Sequence, residues 1–472
     1  METIQLSLKL KRQIGTTNNE ITSMKKLFSV ILSGVLLCAC LHVSANLVSS
    51  LAQKEKPPVP SSITSELVKR HIVELAGDNY EGRGAGYPGE LKAARYIAAE
   101  FKRIGLKPVG DSTRGRSSYF QQFKFQPRHP LVPWEVMTSQ NVVGLLQGSD
   151  PVLKDQIVVI GAHYDGQGRS GQADPMRYPP RDSSVKDEIW NSANDNATSV
   201  AAILEIARTI KSGKLVTKRS ILFAAFGAEE HGMAGSIYYV SHPIFPIGNH
   251  VAMINLEKLG RAADKPFSIN GMASSPAWTE VLKTAQAQTK TQVAPNIPFA
   301  TPDSDHYAFG ASQIPAVMLY VSSNQDEAHF PSDTSEKVNF DRTAEAARFA
   351  LSMLLDLASR QNRPEYAPPP FPDLGIVAHL ASSAEADARG MSAPQGGLKV
   401  TGVVPGLPAS VGGLQAGDFI YELANTKFQR DDSIAKLMTA YRELLEGKRG
   451  NSLPVKLIRG NKPLELTMVL RR

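Results

Sequence analysis

Uninterrupted apolar runs are the feature that most restricts how this chain can fold. Residues 157–162 and 220–226 contain almost no polar side chains, and neither run alternates between apolar and polar residues. Strands that are covered on both faces have this character. Residues 198–210 lie between the two runs and have apolar side chains at helical spacing. Because strands and helices alternate, we expect an α/β fold with a mostly parallel, doubly wound sheet flanked by helices.

The same alternation extends on both sides of this segment. Further strands are predicted at residues 121–125, 140–146, 250–256 and 314–321, and further helices at residues 64–76, 90–104, 276–289 and 343–359. In open α/β sheets, ligands bind beyond the carboxyl ends of the strands. A functional site is therefore expected at that edge of the sheet.

The domain plan follows from shifts in composition along the 472 residues. We expect a large α/β domain over residues 46–362, a stiff proline-rich linker over residues 363–372 and a small β-rich domain over residues 373–472. The net charge is +7, but the sequence has no stripe of Lys and Arg with interleaved aromatic residues. This composition argues against a nucleic-acid partner.

Residues 1–45 are typical of a signal peptide or a lipoprotein signal. A Lys-Lys pair precedes an apolar core at residues 27–37, which is too short to span a membrane as a mature helix. The sequence before Ala45 suits cleavage there, whereas residues 37–40 (LCAC) resemble a lipobox that would leave a lipid on Cys40. We expect a periplasmic, extracellular or lipid-anchored protein, with membrane attachment only if Cys40 is lipidated. An ordinary N-terminal anchor and a start at Met24 stay open.

Both cysteines, Cys38 and Cys40, fall within this signal segment. The mature chain therefore offers no disulfide framework and no thiolate metal site. Any metal ion would have to be held by imidazole and carboxylate groups.

Such groups occur where the predicted strands end or the helices begin. The candidates are His163, Asp165, Asp195, Glu229, Glu230, Glu257 and His329. Any one of them alone is more simply interpreted as a surface charge or a structural histidine. Two imidazoles and several carboxylates at one edge of one sheet instead indicate a zinc site.

The order of these candidates favours a two-metal arrangement. A pair of ions about 3.5–4 Å apart needs a bridging carboxylate, and Asp195 is the natural bridge because it lies between the other candidates in the topology. Asp165 lies two residues from His163 on the same side of a strand, so it can accept the second imidazole N–H. Of the adjacent Glu229 and Glu230, one should face the metal and the other the water.

Five motifs in this order resemble those of the secreted co-catalytic di-zinc aminopeptidases. They are residues 163–165 (HYD), 192–198 (SANDNAT), 226–230 (FGAEE), 304–306 (SDH) and 329–334 (HFPSDT). The resemblance covers roughly residues 62–360. It implies a zinc exopeptidase fold with two zinc ions per chain.

The resemblance also implies a ligand set. His163, Asp195 and Glu257 would bind one zinc ion. Asp195, Glu230 and His329 would surround the pair as a whole, and the ion taken by each outer ligand stays open. Glu257 departs from the family, which usually has Asp at this position.

Glu229 would be the general base, which takes a proton from water and gives it to the leaving amine. Asp305 and His306 would support the pocket. With Ser304 they do not form a serine-hydrolase triad, because adjacent residues cannot and no Gly-x-Ser-x-Gly elbow is present. Many relatives have a Tyr where this chain has Ala328, so either the metal alone or another group, such as Tyr307, polarises the carbonyl.

Residues 373–472 resemble a bacterial-type PDZ domain. The segment Leu374, Gly375, Ile376 and Val377 is similar to the carboxylate-binding loop of that family. Such domains add a peptide C-terminus as an extra strand. The alternative is that the groove is empty and the domain only packs on its neighbour.

These observations predict an exported zinc metallopeptidase that hydrolyses N-terminal residues from peptides through metal-activated water. Two alternatives stay open. The first is a single-zinc enzyme like the glutaminyl cyclases, on the same fold. The second is a non-catalytic peptide-binding protein that acts through the PDZ domain.

Overall fold

The computed structural model describes residues 62–127, 136–170, 172, 187–262, 264–321, 327–370, 373–381, 383–432 and 451–470. The predicted export signal and Cys40 lie outside these ranges. All described residues belong to one compact unit, Val59–Arg472. Among them, no helix combines the length and the apolar character needed to cross a bilayer.

Nine strands of the described chain form the central sheet. They are β1 (Lys107–Pro108), β2 (Phe120–Phe125), β3 (Met137–Leu146), β4 (Ile157–His163), β5 (Ser220–Phe226), β6 (His250–Glu257), β7 (Phe267–Asn270), β8 (Val293–Pro295) and β9 (Ala316–Tyr320). Their order is β1-β3-β5-β4-β6-β9-β7-β8, and β2 pairs with β3. The four central strands β5, β4, β6 and β9 are parallel, whereas β3 and β7 join them in the antiparallel direction. The sheet is therefore mixed, with the predicted parallel strands at its centre.

Helices cover both faces of this sheet. One face packs against α1 (Ser65–Leu75), α2 (Pro88–Ile104), α3 (Thr198–Ser212), α5 (Ala277–Thr289) and α7 (Phe340–Ser359), and the other against α4 (Ala234–Ser241) and α6 (His306–Ala311). Every residue of β4, β5 and β6 is buried. Burial on both faces explains why these strands read as continuous apolar runs.

A second, antiparallel sheet occupies the C-terminal part of the chain. Its strands are β10 (Ile376–Leu380), β11 (Leu398–Val403), β12 (Phe419–Leu423), β13 (Thr426–Lys427), β14 (Ser452–Arg459) and β15 (Lys462–Val469), in the order β10-β11-β12-β14-β15 with β13 on β12. Two short helices, α8 (Ser383–Asp387) and α9 (Pro408–Val411), accompany it. The sheet has an apolar core of its own, which includes Leu374, Val400 and Met468.

Short strands account for most differences from the sequence prediction. Strands β7 and β8 were not predicted, since they span only four and three residues and β8 ends in a proline, a residue that is unfavourable in strands. Ile376 and Val377, predicted in a loop, are the first residues of β10. Gly375 stands just before that strand with a φ of 72°.

Candidate metal centre

The turn after β5 presents two adjacent carboxylates, Glu229 and Glu230. The turn is held from below by Asp165, whose Oδ1 and Oδ2 accept the backbone N–H groups of Glu229 at 3.0 Å and Glu230 at 3.1 Å. The N–H groups of Gly232 and Met233 close the turn by donating to the carbonyl of Glu229, both at 2.8 Å. Asp165 therefore fixes the backbone from which both glutamates project.

His163 is the last residue of β4 and is buried. Its Nε2 lies 3.2 Å from Oδ1 of Asp195, 3.3 Å from Oε1 of Glu257 and 3.9 Å from Oε2 of Glu229. On the other side of the ring, Nδ1 lies 3.3 Å from the backbone carbonyl of Asp165 and 3.6 Å from its Oδ1. Asp165 thus faces the second imidazole nitrogen as predicted, and its backbone oxygen is the nearer acceptor.

Asp195 lies at the centre of the site, in the irregular segment before α3. Its Oδ1 faces His163, whereas its Oδ2 lies 3.1 Å from Nε2 of His329. Asp333 holds this segment, because its Oδ2 accepts the N–H groups of Asn194 and Asp195 at 3.0 Å each. One carboxylate therefore points an oxygen into each half of the site, which is the arrangement expected of a bridge.

His329 completes the second half of the site. Its Nε2 lies 3.0 Å from Oε2 of Glu230. The side chain of His329 is 24% exposed, whereas those of His163 and Asp195 are 1% and 3% exposed. Solvent therefore reaches the centre from the His329 side.

Glu257 ends strand β6 and reaches the first half of the site in spite of its extra methylene. Its Oε1 faces His163, and its Oε2 accepts hydrogen bonds from Ser304 Oγ at 2.8 Å and Asn196 Nδ2 at 3.3 Å. These two donors hold the longer side chain in one position. The motif containing Ser304 was visible in the sequence, but its bond to Glu257 was not.

The charges in this site are strongly coupled. Burial alone would lower the pKa of His163, but the carboxylates of Glu257 and Glu229 raise it well above its ordinary value. Burial and the charge of Glu230 raise the pKa of Glu229 well above that of a free carboxyl, against the opposing effect of His163. The carboxylates around the two imidazoles therefore make this cluster favourable for positive charge.

The donor set fits divalent cations. Three groups have ligand atoms within 4.8 Å of one another: His163 with Asp195 and Glu257, His163 with Glu229 and Glu230, and Asp195 with Glu230 and His329. Within the described residues, the buried atoms Asp195 Oδ1 and Glu230 Oε1 accept no hydrogen bond of good geometry. Imidazole nitrogen and carboxylate oxygen are ordinary zinc ligands, so these oxygens are suited to a metal ion. The structure thus brings the predicted ligands together, while metal binding itself stays a prediction.

The predicted supporting residues Asp305 and His306 are buried at the start of α6. Burial raises the pKa of Asp305 to about 7 and lowers that of His306. The next residue, Tyr307, donates its hydroxyl to Asp373 Oδ1 at 2.8 Å. That hydroxyl is therefore directed to the C-terminal part of the chain.

Arg83 has a structural role that the sequence did not reveal. Its guanidinium is buried and donates to four backbone carbonyls, those of Leu75, Tyr164, Asn191 and Ser192, at 2.7–2.8 Å. Two of the connected segments follow His163 and precede Asp195. Arg83 therefore fixes the spacing between these two parts of the site. The signal in the sequence was its position in the glycine-rich stretch at residues 81–86.

Known proteins share both the sequence pattern and the fold. Aminopeptidase YwaD of Bacillus subtilis is 24% identical over 278 residues, which cover 56% of this chain and 54% of that protein. A probable zinc metalloprotease of Phaeosphaeria nodorum is 34% identical over 222 residues, 45% of this chain and 40% of that protein. The chain spans 54%, 42% and 66% of three curated relatives that it matches.

Among solved structures, a leucine aminopeptidase precursor from Bacteroides thetaiotaomicron has a TM-score of 0.50 at 16% identity, over 63% of this chain and 98% of that chain. This likeness shows a shared zinc exopeptidase-like fold. Residues 141–354 match the model of peptidase family M28, and this segment contains Glu229 and all the candidate ligands. This segment is therefore similar to the peptidases of family M28.

Proposed function

We propose that this protein is an exported aminopeptidase that uses two zinc ions to remove N-terminal residues from peptides. The observation that carries the proposal is the position of Asp195, with one oxygen 3.2 Å from Nε2 of His163 and the other 3.1 Å from Nε2 of His329. A carboxylate shared in this way is what a two-metal site needs. The relatives named aminopeptidase and zinc metalloprotease support the same assignment.

Five residues would hold the two ions. They are His163, Asp195, Glu230, Glu257 and His329. When bound, the zinc ions would polarise a water molecule and the carbonyl of the scissile bond.

Glu229 is the residue suited to move the proton. Its carboxylate lies at the edge of the cluster, 3.9 Å from the nearest imidazole nitrogen, and its side chain is 13% exposed, so a water molecule can reach it. Burial and the charge of the neighbouring Glu230 raise its pKa, against the opposing effect of His163. Glu229 would take the proton from the attacking water and transfer it to the leaving amine.

A single-zinc cyclisation enzyme is the second candidate. It would follow if Glu257 were unable to act as a ligand. Against it, Oε1 of Glu257 lies 3.3 Å from Nε2 of His163, and Oε2 is fixed by Ser304. This geometry favours the two-metal alternative.

Two further expectations complete the proposal, and one alternative stays open. The sequence of residues 1–45 favours export, with either cleavage after Ala45 or lipid attachment at Cys40. The C-terminal sheet favours a PDZ-type domain that takes a peptide C-terminus beside Leu374, Gly375 and Val377. A purely peptide-binding protein without catalysis is the remaining alternative.

The decisive experiment uses the full chain with peptides that have either a free or an acetylated N-terminus. We expect zinc-dependent release of single N-terminal residues from the free peptides only, loss of release with a chelator, and recovery at two zinc ions per chain. Mass spectrometry follows each product. Conversion of N-terminal Gln to pyroglutamate at one zinc per chain would support the cyclase instead. No product of either kind would leave the peptide-binding alternative.

A further inference from the structure

We infer that the C-terminal sheet, strands β10 to β15, positions the turn that presents Glu229 and Glu230, an inference that rests on the proposed function. The sheet would then be part of the catalytic apparatus and not only an appended peptide-binding module. Three observations in the interface support this inference.

The first observation is the close approach of strand β11 to the glutamate turn and to α4. A β-carbon on Gly232, in the glutamate turn, would lie 2.4 Å from Oγ1 and 2.8 Å from Cβ of Thr401 in strand β11. The adjacent Gly402 faces Ile237 of α4, where a β-carbon would lie 2.8 Å from Cδ1. Glycine on both sides of the interface lets strand β11 lie directly on the turn.

The second observation is an apolar cluster that seals this contact. Met233, the residue after Gly232, is buried with Val377 and Val404 of the C-terminal sheet and with Tyr307 and Ala311 of α6. Met233 has a φ of 59° and Gly232 a φ of 94°. A residue other than glycine in this region is strained and persists when its surroundings hold it there. The C-terminal sheet supplies part of those surroundings.

The third observation is a polar contact to the other side of the site. Tyr307 Oη donates to Asp373 Oδ1 at 2.8 Å, and the same oxygen accepts the N–H of Gly375 at 2.8 Å. The backbone N–H of Tyr307 donates to the carbonyl of Ser304 at 3.0 Å. Ser304 in turn holds Glu257. Asp373, just before β10, therefore links the C-terminal part of the chain to the helix that begins beside Ser304.

Contact with strand β11 restrains the position of the glutamate turn. The turn connects only β5 and the short helix α4, and its backbone is held by Asp165 below and strand β11 above. Displacing strand β11 would remove the cover from one side of the turn and leave Asp165 and the α6 residues Tyr307 and Ala311 to hold it. Because a misplacement of about 1 Å can cost on the order of a hundredfold in rate, a small shift of Glu229 would lower kcat without removing the binding of peptide.

The test introduces a steric clash between strand β11 and α4 in the full chain, and then removes that clash with a second substitution. Gly402→Val introduces a branched side chain that is favourable in a strand but collides with Ile237. We expect kcat to fall about tenfold, with KM changed by less than about twofold and zinc content unchanged. Ile237→Ala removes the colliding group, so Gly402→Val combined with Ile237→Ala should return kcat to the value of Ile237→Ala alone. An unchanged kcat in Gly402→Val, or no recovery in the double variant, would overturn the inference.

A second variant keeps the inference testable if Gly402→Val unfolds the C-terminal sheet. Tyr307→Phe removes the hydroxyl that donates to Asp373, and we expect a fall in kcat of about threefold or more. Tyr119→Phe is the matched control, because its hydroxyl also donates one bond, to the carbonyl of Leu106 at 2.7 Å, far from the site in sequence. Equal kcat in the two variants contradicts the inference.

A measurement independent of activity separates this inference from the proposed function. Hydrogen exchange of the amides of Gly232 and Met233 should be faster in Gly402→Val than in the wild type, since the turn loses its cover. If the wild type cleaves no peptide, the proposed function fails, whereas faster exchange still supports the mechanical coupling. Unchanged hydrogen exchange at these two amides would contradict the coupling even if the enzyme is active.

Discussion

Ser304 Oγ donates a hydrogen bond of 2.8 Å to Oε2 of Glu257, and both side chains are buried. The other oxygen of Glu257 faces His163. A side chain with one more methylene than Asp has one more rotatable bond, so its carboxylate needs a partner that fixes it. Ser304 therefore holds the carboxylate of Glu257 beside His163, in a position suited to a metal ligand.

Removing this partner should weaken zinc binding. For Ser304→Ala we expect a zinc dissociation constant about 10–100-fold higher, the usual effect of losing a bond to a metal ligand. Competition with a chromogenic chelator measures it. Ser352→Ala is the control, because Ser352 is also buried and donates to Gln288 at 2.6 Å on a helix remote from the site. Equal zinc affinity in both variants would argue that Glu257 binds no metal.

Glu229→Gln should separate proton transfer from metal binding. The amide keeps the size of the side chain but cannot take a proton, so kcat should fall about 10²–10⁴-fold. Zinc content by atomic emission and the far-UV circular dichroism spectrum should match the wild type. The Glu345→Gln variant, altered at a partly exposed ion pair with Arg342, should keep full activity. Residual activity near the wild-type level in Glu229→Gln would exclude Glu229 as the base.

Glu90 should make stability depend on pH. It is buried, and burial together with the charge of Asp165 raises its pKa to about 8. Between its unfolded value near 4.5 and about 8, the folded state keeps a proton that the unfolded chain releases. Protonated Glu90 therefore contributes its full stabilisation of the folded state below this window. That contribution is lost as the pH rises through the window, by up to about 1.4 kcal/mol per pH unit.

The Glu90→Gln variant tests this dependence, because its side chain is uncharged at every pH. Its Oε1 and Nε2 can still meet the two present partners, the N–H of Gly86 and the hydroxyl of Ser139. Urea unfolding at pH 5 and pH 8.5 should show a smaller loss of stability in the variant than in the wild type. Parallel losses in the two proteins would mean that Glu90 does not hold the proton.

Arg83→Lys should destabilise the fold although it conserves charge. A lysine cannot reproduce the planar set of donors that now serves four carbonyls. Each buried carbonyl left without a donor costs about 1–3 kcal/mol, so we expect a loss of roughly 2–5 kcal/mol in the free energy of unfolding. Chemical denaturation measures it, with Arg116→Lys at an exposed position as the control. A loss equal to that of the control would show that water replaces the guanidinium.

The sequence predicted the centre of the fold because burial on both faces leaves a readable pattern. The parallel strands β4, β5 and β6 were evident as apolar runs, and the carboxyl ends of parallel strands share one edge. His163, Glu229 and Glu257 were therefore expected to meet before any coordinates were known. The direction of the outer strands could not be predicted, because short edge strands carry too few residues to show a period.

The hydrogen-bond partners that hold the site residues in place could not be predicted from the sequence either. The bonds of Asp333 to the backbone of Asp195, and of Ser304 to Glu257, join segments that are far apart in the chain. Their geometry is set by loops, and loops have no periodicity from which a contact can be inferred. The same holds for Asp165, which was expected to orient His163 but also accepts the N–H groups of both glutamates.

Arg83 has a further consequence for the ancestry of such chains. The family match begins at residue 141, yet the guanidinium that joins the loops after His163 and before Asp195 comes from residue 83. A gene recombined at the family boundary would inherit the metal ligands without the cation that spaces them. The structural unit that builds this centre is therefore longer than the segment that the family model matches.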